Sequence, residues 1–194
     1  MSVPQRVDLA RIAPQPWKNG AGLTREIASG GHSGIDFDWR LSVAEIARNA
    51  PFSTFPGIDR CTVLLRGAGM RLRSSDGGID HALTTPLAPF HFTGDAALVA
   101  TLVDGPCSDF NVMTRRGAFR SEVTCLRESG TLREADVTLL LACAGEWKVP
   151  ADGASTLSPS HALLWREPTG AIRVEPVGAA GALVVVRLCH DRQP

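Results

Sequence analysis

Apolar and polar residues alternate over short segments of the chain, and glycine or proline separates most of these segments. The clearest alternation runs over residues 37–43, where Trp39 and Leu41 alternate with Arg40 and Ser42. A period of two predicts a β-strand with one face in a core, although the period alone does not say which face is inside. The i, i+3, i+4, i+7 spacing of a surface helix is almost absent, so few short helices are expected, one of them a single turn over residues 44–49.

Further strands are predicted at intervals of about ten residues, as in sandwiches and barrels. Residues 61–65 and 70–73 flank Gly67–Gly69 and predict a hairpin, because glycine supplies the positive φ angles of tight turns. A similar pattern surrounds a turn at Ala144–Gly145. The remaining predicted strands cover residues 96–103, 137–143, 146–149, 162–165, 171–174 and 182–188.

The similarity of the segments around Gly67 and Gly145 predicts two small β-barrels in one chain. The approximate halves are residues 1–117 and 118–194, and an exchange of strands between them is allowed. The fold class is therefore all-β, with two fused small barrels.

Charge and composition narrow the function. Lysine plus arginine and aspartate plus glutamate number 20 each, which disfavours nucleic acid and anionic membranes as partners. Only Lys18 and Lys148 among the cations are lysines. Arginine suits carboxylate recognition, although a genome rich in arginine codons explains the bias better. The absence of a long apolar run and five scattered cysteines without a C-x-x-C pair predict a cytoplasmic protein with reduced thiols.

Common enzyme signatures are missing from the sequence. It contains no G-x-G-x-x-G, P-loop, G-x-S-x-G or H-E-x-x-H motif, and no tyrosine. The five histidines are scattered, with no H-x-H or i, i+4 pair. No metal, no other cofactor and no catalytic residue are therefore predicted.

The first candidate site segment covers residues 16–27. It combines Trp17, Lys18 and Asn19 with Gly20 and Gly22, and its Arg-Glu pair is Arg25 and Glu26. The glycines would let the backbone approach a ligand, and the polar side chains would supply donors. A glycine-rich turn that merely enters a strand is an equally good interpretation.

Two more segments place polar side chains on one face of a strand. Arg40 and Ser42 share a face that points either into a barrel or into water. Asp109, Asn111 and Arg115 share a face with Met113 if residues 105–116 are extended. Burying such polar groups costs free energy unless they are paired or bind a ligand, so the segment favours a functional site over a solvated edge.

With these motifs in view, the sequence resembles the HutD family, which includes the Ves proteins. The resemblance rests on PWKNGAGLTREIA, DFDWRLSVAEI, PFSTFPGIDRCTVLLRGAG and DFNVMTRRG in this order. It implies a bicupin fold, which is two small jelly-roll barrels of cupin type in one chain. It also implies that the protein modulates bacterial histidine utilisation and binds a carboxylate intermediate such as urocanate or N-formylglutamate. The residues that it implies for the ligand site are Trp17, Lys18, Asn19, Arg25, Glu26, Arg40, Ser42, Arg60, Asp109, Asn111 and Arg115.

The general cupin pattern supports a metal-free site. If Gly67 closes the first cupin motif, Arg60 stands where a glutamate ligand would be, and Phe55 or Pro56 replaces a histidine. Of the usual ligands only His91 remains, and one imidazole is too few for a transition metal.

The resulting hypothesis is recognition of a small carboxylate by Arg40, Arg60, Arg115 and Lys18, oriented by Asn19, Asn111 and Ser42. Glu26 and Asp109 would hold the arginines in place. Two alternatives stay open: a metal-independent isomerase or hydrolase with Glu26 or Asp109 as base, and a regulator that binds a protein partner through an apolar patch. A homodimer through strand edges is compatible with the pattern.

Overall fold

The computed structural model describes residues 3–31, 36–150, 156–168 and 170–191. In these ranges β-strands are the main regular secondary structure, and the only helix among them is a short 3₁₀ helix at Leu9–Arg11, which confirms the all-β prediction. The chain divides into two compact units. The N-terminal unit is Ile12–Phe119, and the C-terminal unit combines residues 3–11 with residues 120–191.

The N-terminal unit contains two antiparallel sheets. A six-stranded sheet has the order β2-β3-β4-β11-β6-β9, and a four-stranded sheet has the order β5-β10-β7-β8. The strands are β2 (Gln15–Pro16), β3 (Gly22–Gly31), β4 (Phe37–Ile46), β5 (Ala50–Pro51), β6 (Ile58–Arg66), β7 (Met70–Ser74), β8 (Asp80–Leu83), β9 (Pro89–Thr93), β10 (Leu98–Leu102) and β11 (Cys107–Arg115).

An apolar core joins these two sheets. Ile46, Leu64 and Phe92 from the larger sheet pack with Leu72 and Leu98 from the smaller one. Every second side chain of a strand lies on the same face of its sheet. The face of the larger sheet that contributes to this core therefore also carries the polar side chains of the candidate site. The fold therefore places part of one sheet face in a dry core and part of it at a cavity.

The C-terminal unit is built around two long strands, β14 and β17, which pair with each other over most of their length. Its main sheet has the order β1-β16-β14-β17-β12, and β13 and β15 pair with β17 and β14. Trp147 and Trp165 are fully buried in its core. The strands are β1 (Gln5–Asp8), β12 (Phe119–Leu126), β13 (Gly130–Leu132), β14 (Val137–Lys148), β15 (Thr156–Leu157), β16 (His161–Trp165) and β17 (Ile172–His190).

The hairpin predicted around Gly67–Gly69 is wrong. The strands β6 and β7 lie in different sheets, so the two glycines carry the chain from one sheet to the other. Both have positive φ, and a Cβ on Gly69 would lie 2.1 Å from the carbonyl oxygen of Leu83. Glycine is needed here because the connection between the two sheets packs closely against neighbouring backbone, and not because it forms a hairpin turn.

Three other local predictions are also wrong. The turn predicted at Ala144–Gly145 is an irregularity inside the single strand β14, where the register against β17 shifts on both sides of Ala144. The separate strands predicted for residues 171–174 and 182–188 are one strand, β17. Residues 44–49 form no helical turn, because β4 continues to Ile46.

Candidate functional site

The candidate site is built on one face of the central strands β4, β11 and β6. In the antiparallel register Met113 lies between Arg40 and Arg60, which places the two arginines on either side of one methionine. One row along, Asn111 lies between Ser42 and Thr62. This face of the sheet therefore presents two guanidinium groups and a row of polar side chains.

With the exception of Thr62, these side chains line a cavity of about 560 Å³ within the N-terminal unit. Its floor is the sheet, and its walls are the segments before β3 and between β5 and β6. The lining residues are Gln15, Pro16, Trp17, Lys18, Asn19, Thr24, Arg40, Ser42, Ala44, Pro51, Phe52, Ser53, Thr54, Phe55, Arg60, Asp109, Asn111 and Met113.

Arg60 is a buried cation in an aromatic cage. Its guanidinium carbon lies 5.3, 5.5 and 4.9 Å from the ring centroids of Phe52, Phe55 and Phe92. Aromatic faces attract a cation, and the attraction is stronger where water is excluded. Only 7% of the residue is exposed, and this burial lowers the pKa of Arg60 to about 10, against the raising effect of the Asp109 charge. Arg60 therefore stays charged at neutral pH.

The hydrogen bonds of Arg60 go to uncharged acceptors. Its Nη1 donates to the carbonyl oxygen of Ser53 at 3.3 Å, and its Nη2 donates to Asn111 Oδ1 at 3.1 Å. Its Nε is buried and has no partner within the described residues. A guanidinium bonded in this way retains unused capacity to bind an anion.

Asp109 lies beneath Arg60 in a network of buried polar groups. Its Oδ1 accepts a hydrogen bond from Asn111 Nδ2 at 2.9 Å, and its Oδ2 accepts one from Thr62 Oγ1 at 2.7 Å. Asn111 thus connects the carboxylate to Arg60, and Asp109 orients Arg60 through that amide. Burial raises the pKa of the Asp109 carboxyl to about 6, while the Thr62 hydrogen bond and the Arg60 charge oppose the rise.

Arg40 is held by a carboxylate outside the cavity lining. Its Nε donates to Glu26 Oε2 at 2.7 Å, and Ser29 Oγ donates to the other oxygen of the same carboxylate at 2.8 Å. Because Nε is engaged by Glu26, the terminal nitrogens of Arg40 are the part that can bind a ligand. Glu26 pairs with Arg40, but it does not line the cavity.

The turn that precedes β3 forms one rim of the cavity. Trp17 Nε1 donates to Thr24 Oγ1 at 2.7 Å, and the backbone N–H of Ala21 donates to Asn19 Oδ1 at 3.0 Å. Arg48 fixes the turn by donating to the carbonyl oxygen of Gly20 at 2.8 Å. Lys18 is exposed at this rim.

Gly22, at the end of this turn, is needed for close packing. A Cβ on Gly22 would lie 2.4 Å from the carbonyl oxygen of Glu45 and 3.3 Å from the Trp17 ring. Gly22 is not among the lining residues. Its small size lets β3 approach β4 and lets Trp17 pack over the backbone.

The structure brings most of the predicted site residues together. Eight of the eleven line the cavity: Trp17, Lys18, Asn19, Arg40, Ser42, Arg60, Asp109 and Asn111.

Arg25, Glu26 and Arg115 lie outside the lining. Arg25 forms an ion pair with Glu45. Arg115 was expected to bind the ligand, but it donates to Asp36 Oδ1 at 2.7 Å and to the carbonyl oxygen of Phe37 at 3.2 Å. It is on the same face of β11 as Asn111 and Met113, but it is the last residue of the strand and lies past the cavity.

Sequence reasoning missed the aromatic wall. Phe52 and Phe55 line the cavity and face Arg60, and Thr62 is fully buried against Asp109. Two phenylalanines spaced three apart between prolines, just before the strand that carries Arg60, were the available signal.

Within the ranges that the structure covers, no three histidine, cysteine, aspartate or glutamate side chains are close enough together to hold a metal ion. His91, the one residue matching a cupin ligand position, is exposed on β9 and is not part of the lining. The cavity is instead suited to hydrogen bonding and charge recognition, with a carboxyl group available for proton transfer.

The described residues include no helix that is long and apolar enough to cross a membrane.

The fold is cupin-like. A cupin 2 conserved barrel domain protein from Leptotrichia buccalis superposes with a TM-score of 0.59 at 10% identity, covering 96% of this chain and 97% of its own.

The chain belongs to the HutD family, whose model matches residues 9–184. The chain is similar to HutD from Pseudomonas fluorescens SBW25, with a TM-score of 0.85, 28% identity and coverage of 97% of this chain and 99% of that one. It is also similar to a conserved protein of unknown function from Pseudomonas aeruginosa PAO1, with a TM-score of 0.86, 29% identity and coverage of 97% and 100%.

Proposed function

We propose that this protein binds a small carboxylate in the cavity of its N-terminal unit. The observation that carries the proposal is Arg60, a buried guanidinium that donates to a backbone carbonyl and to an amide. Its Nε has no partner among the described residues. Keeping a cation buried is costly unless a negative charge compensates it. The buried carboxylate of Asp109 is linked to Arg60 only through Asn111, so a ligand anion is a fitting direct partner.

The cavity supports this proposal by its size and chemistry. A volume of about 560 Å³ lies within the range of small-molecule sites, which is about 300–1,000 Å³. Arg60 and Arg40 approach from two strands that are separated by β11, so a carboxylate above Met113 could contact both. Each charged hydrogen bond contributes about 1.5–3 kcal/mol, and a few of them give micromolar affinity.

We infer further that the ligand is a histidine-pathway intermediate such as urocanate or N-formylglutamate, and that the protein modulates histidine utilisation in the bacterial cytoplasm. Membership of the HutD family supports this assignment. The HutD relative from Pseudomonas fluorescens was crystallised in a formate condition, and formate is itself a carboxylate. We also propose that each unit is one cupin barrel, so that the chain is a bicupin.

The variant Arg60→Met tests the site. We expect its affinity for urocanate and N-formylglutamate, measured by isothermal titration calorimetry, to fall at least tenfold. The unfolding temperature should change little, because methionine fits the cage of Phe52, Phe55 and Phe92 and removes a buried charge. Arg40→Ala should weaken binding by a similar factor.

Arg25→Met is the matched control, because Arg25 lies in the same sheet but pairs with Glu45 outside the cavity. It should bind the carboxylates as the wild type does. Unchanged affinity in both Arg60→Met and Arg40→Ala, or equal loss in Arg25→Met, would contradict the proposal.

A second candidate function is favoured by one observation. The Asp109 carboxyl has a pKa near 6, which suits a general base, so a metal-independent isomerase or hydrolase acting on the same carboxylate is the alternative. Incubation of the purified protein with urocanate and N-formylglutamate would reveal turnover, which simple binding does not produce.

A further inference from the structure

Asp109 is a second negative charge that any bound anion would meet in the cavity. The residue is 0% exposed and lies on β11, two residues from Asn111 and four from Met113, which stands between both arginines. It is the charge that most strongly supports the ionised form of Arg60. A ligand carboxylate that binds Arg60 therefore competes with Asp109 for the same cation.

The hydrogen bonds of Asp109 allow it to take up a proton in place. Thr62 Oγ1 lies 2.7 Å from Oδ2, and a hydroxyl can either donate to a carboxylate or accept from a carboxylic acid. The Asn111 amide can continue to donate to Oδ1 in both states. Protonation thus requires only a rotation of the Thr62 hydroxyl and leaves the Asn111 contact to Arg60 unchanged.

Among the described residues, no histidine lines the cavity beside this carboxyl, and the Cys107 thiol does not ionise near neutral pH. Burial raises the pKa of the Cys107 thiol to about 11, and the Asp109 charge adds to the rise. The charged and titratable groups around Asp109 are Arg60 on β6, Arg40 on β4 with Glu26 on β3, Cys107 on β11 itself and Lys18 at the rim.

We propose that binding of a carboxylate in this cavity is coupled to the uptake of a proton by Asp109. This inference rests on the proposed function. A ligand anion beside Arg60 raises the proton affinity of Asp109, since like charges disfavour each other's ionisation. By linkage, protonation of Asp109 raises the affinity for the anion by the same factor.

The direction of the pH dependence follows from this linkage. Burial already raises the pKa of free Asp109 to about 6, and a bound anion raises it further. The affinity for the anion is therefore constant below the pKa that Asp109 has in the free protein. It falls as the pH rises from this pKa to the higher pKa that Asp109 has in the ligand-bound protein, and it is constant again above the higher pKa. The steepest change is about tenfold per pH unit for one proton.

The test is calorimetric titration of the full chain with N-formylglutamate between pH 5.5 and pH 8, because the carboxyl groups of this probe stay ionised over that range. In the wild type we expect the affinity to fall with rising pH. We also expect each binding event to take up at most one proton, a number that comes from titrations at one pH in buffers of different ionisation enthalpy. In Asp109→Asn, which mimics the protonated acid, affinity should be independent of pH and exceed that of the wild type at pH 8.

Thr62→Val gives an independent check should Asp109→Asn not fold. It removes a hydrogen bond that favours the ionised carboxylate, so the fall in affinity should move to higher pH. Any of three results would overturn the coupling alone. These are a wild-type affinity that is the same at every pH in the range, a full pH dependence that Asp109→Asn keeps, and a fall in affinity that occurs in Thr62→Val at the same pH as in the wild type. Failure of the wild type to bind any carboxylate at any pH would overturn the proposed function and this inference together.

Discussion

The packing of the cavity rim requires a residue without a side chain at position 22, which is Gly22. A Cβ at this position would lie 2.4 Å from the carbonyl oxygen of Glu45 on β4 and 3.3 Å from the ring of Trp17. The backbone of β4 cannot move far without disturbing its pairing with β11. A single methyl group would therefore displace β3 and Trp17 together.

We expect Gly22→Ala to lower the free energy of unfolding by about 1–3 kcal/mol, as overpacked sites do. Carboxylate binding should weaken as well, because Trp17 lines the cavity. Urea denaturation and calorimetry measure the two effects. Gly170→Ala is the matched control, since a Cβ there would meet nothing within 4 Å; its stability should change by less than about 0.5 kcal/mol. Equal stability of the two variants would refute this role of Gly22.

The sequence predicted which site residues lie together wherever this depends only on the alternation of side chains along one strand. Arg40 with Ser42, and Asp109 with Asn111, line the cavity as pairs because each pair is two residues apart on a strand. The position of Arg25 was not predictable in this way. The register of β3 shifts between Glu26 and Ala28, and such an irregularity has no reliable sequence signal.

At the scale of elements, the edges of the two sheets of the N-terminal unit meet through a pair of stacked rings. His81 on β8 lies parallel to Phe90 on β9, with ring centroids 3.7 Å apart and an interplanar angle of 1°. Each of these strands is the last in its sheet. Phe90 in turn stacks on Phe92, whose ring faces Arg60, so the contact also supports the cage around that cation.

His81→Ala should cost about 0.5–1.5 kcal/mol of stability, the contribution of an aromatic pair beyond its buried area. The matched control is His91→Ala, because His91 is an exposed histidine on the same strand as Phe90. We expect the control to stay within about 0.5 kcal/mol of the wild type in urea denaturation. If both histidine variants lose the same stability, the stacked pair does not hold the edges together.

The elements themselves were predictable in type but not in connection. The alternation of residues 37–43 correctly predicts β4, and the apolar run at 162–165 correctly predicts β16. The pairing of β6 with β11 and β9, and not with β7, depends on contacts between residues far apart in the chain. A glycine-rich connection such as Gly67–Gly69 looks the same in sequence whether it returns within a sheet or crosses to another.

At the scale of the whole molecule, the N-terminal segment completes the C-terminal unit. The strand β1 is the edge strand of this sheet and pairs with β16, with Val7 opposite Ala162. The backbone N–H of Leu9 donates to the carbonyl oxygen of Ser160 at 3.1 Å, and the Arg6 guanidinium donates to the carbonyl oxygen of Thr156. No sequence pattern connects residues separated by about 150 positions, so the sequence placed this segment in the first half and left an exchange of strands between the halves open.

Deletion of residues 1–11 should therefore destabilise the C-terminal unit and leave the cavity intact. Without β1, the hydrogen-bonding edge of β16 is exposed, and amide hydrogen exchange over His161–Trp165 should accelerate at least tenfold. All residues that line the cavity lie within Ile12–Phe119, so carboxylate affinity should be close to that of the full chain. Deletion of residues 1–4 alone is the control, because it keeps β1 and should leave exchange in β16 unchanged. Accelerated exchange in β4 and β11 with unchanged protection of β16 would mean that this segment stabilises the N-terminal unit instead.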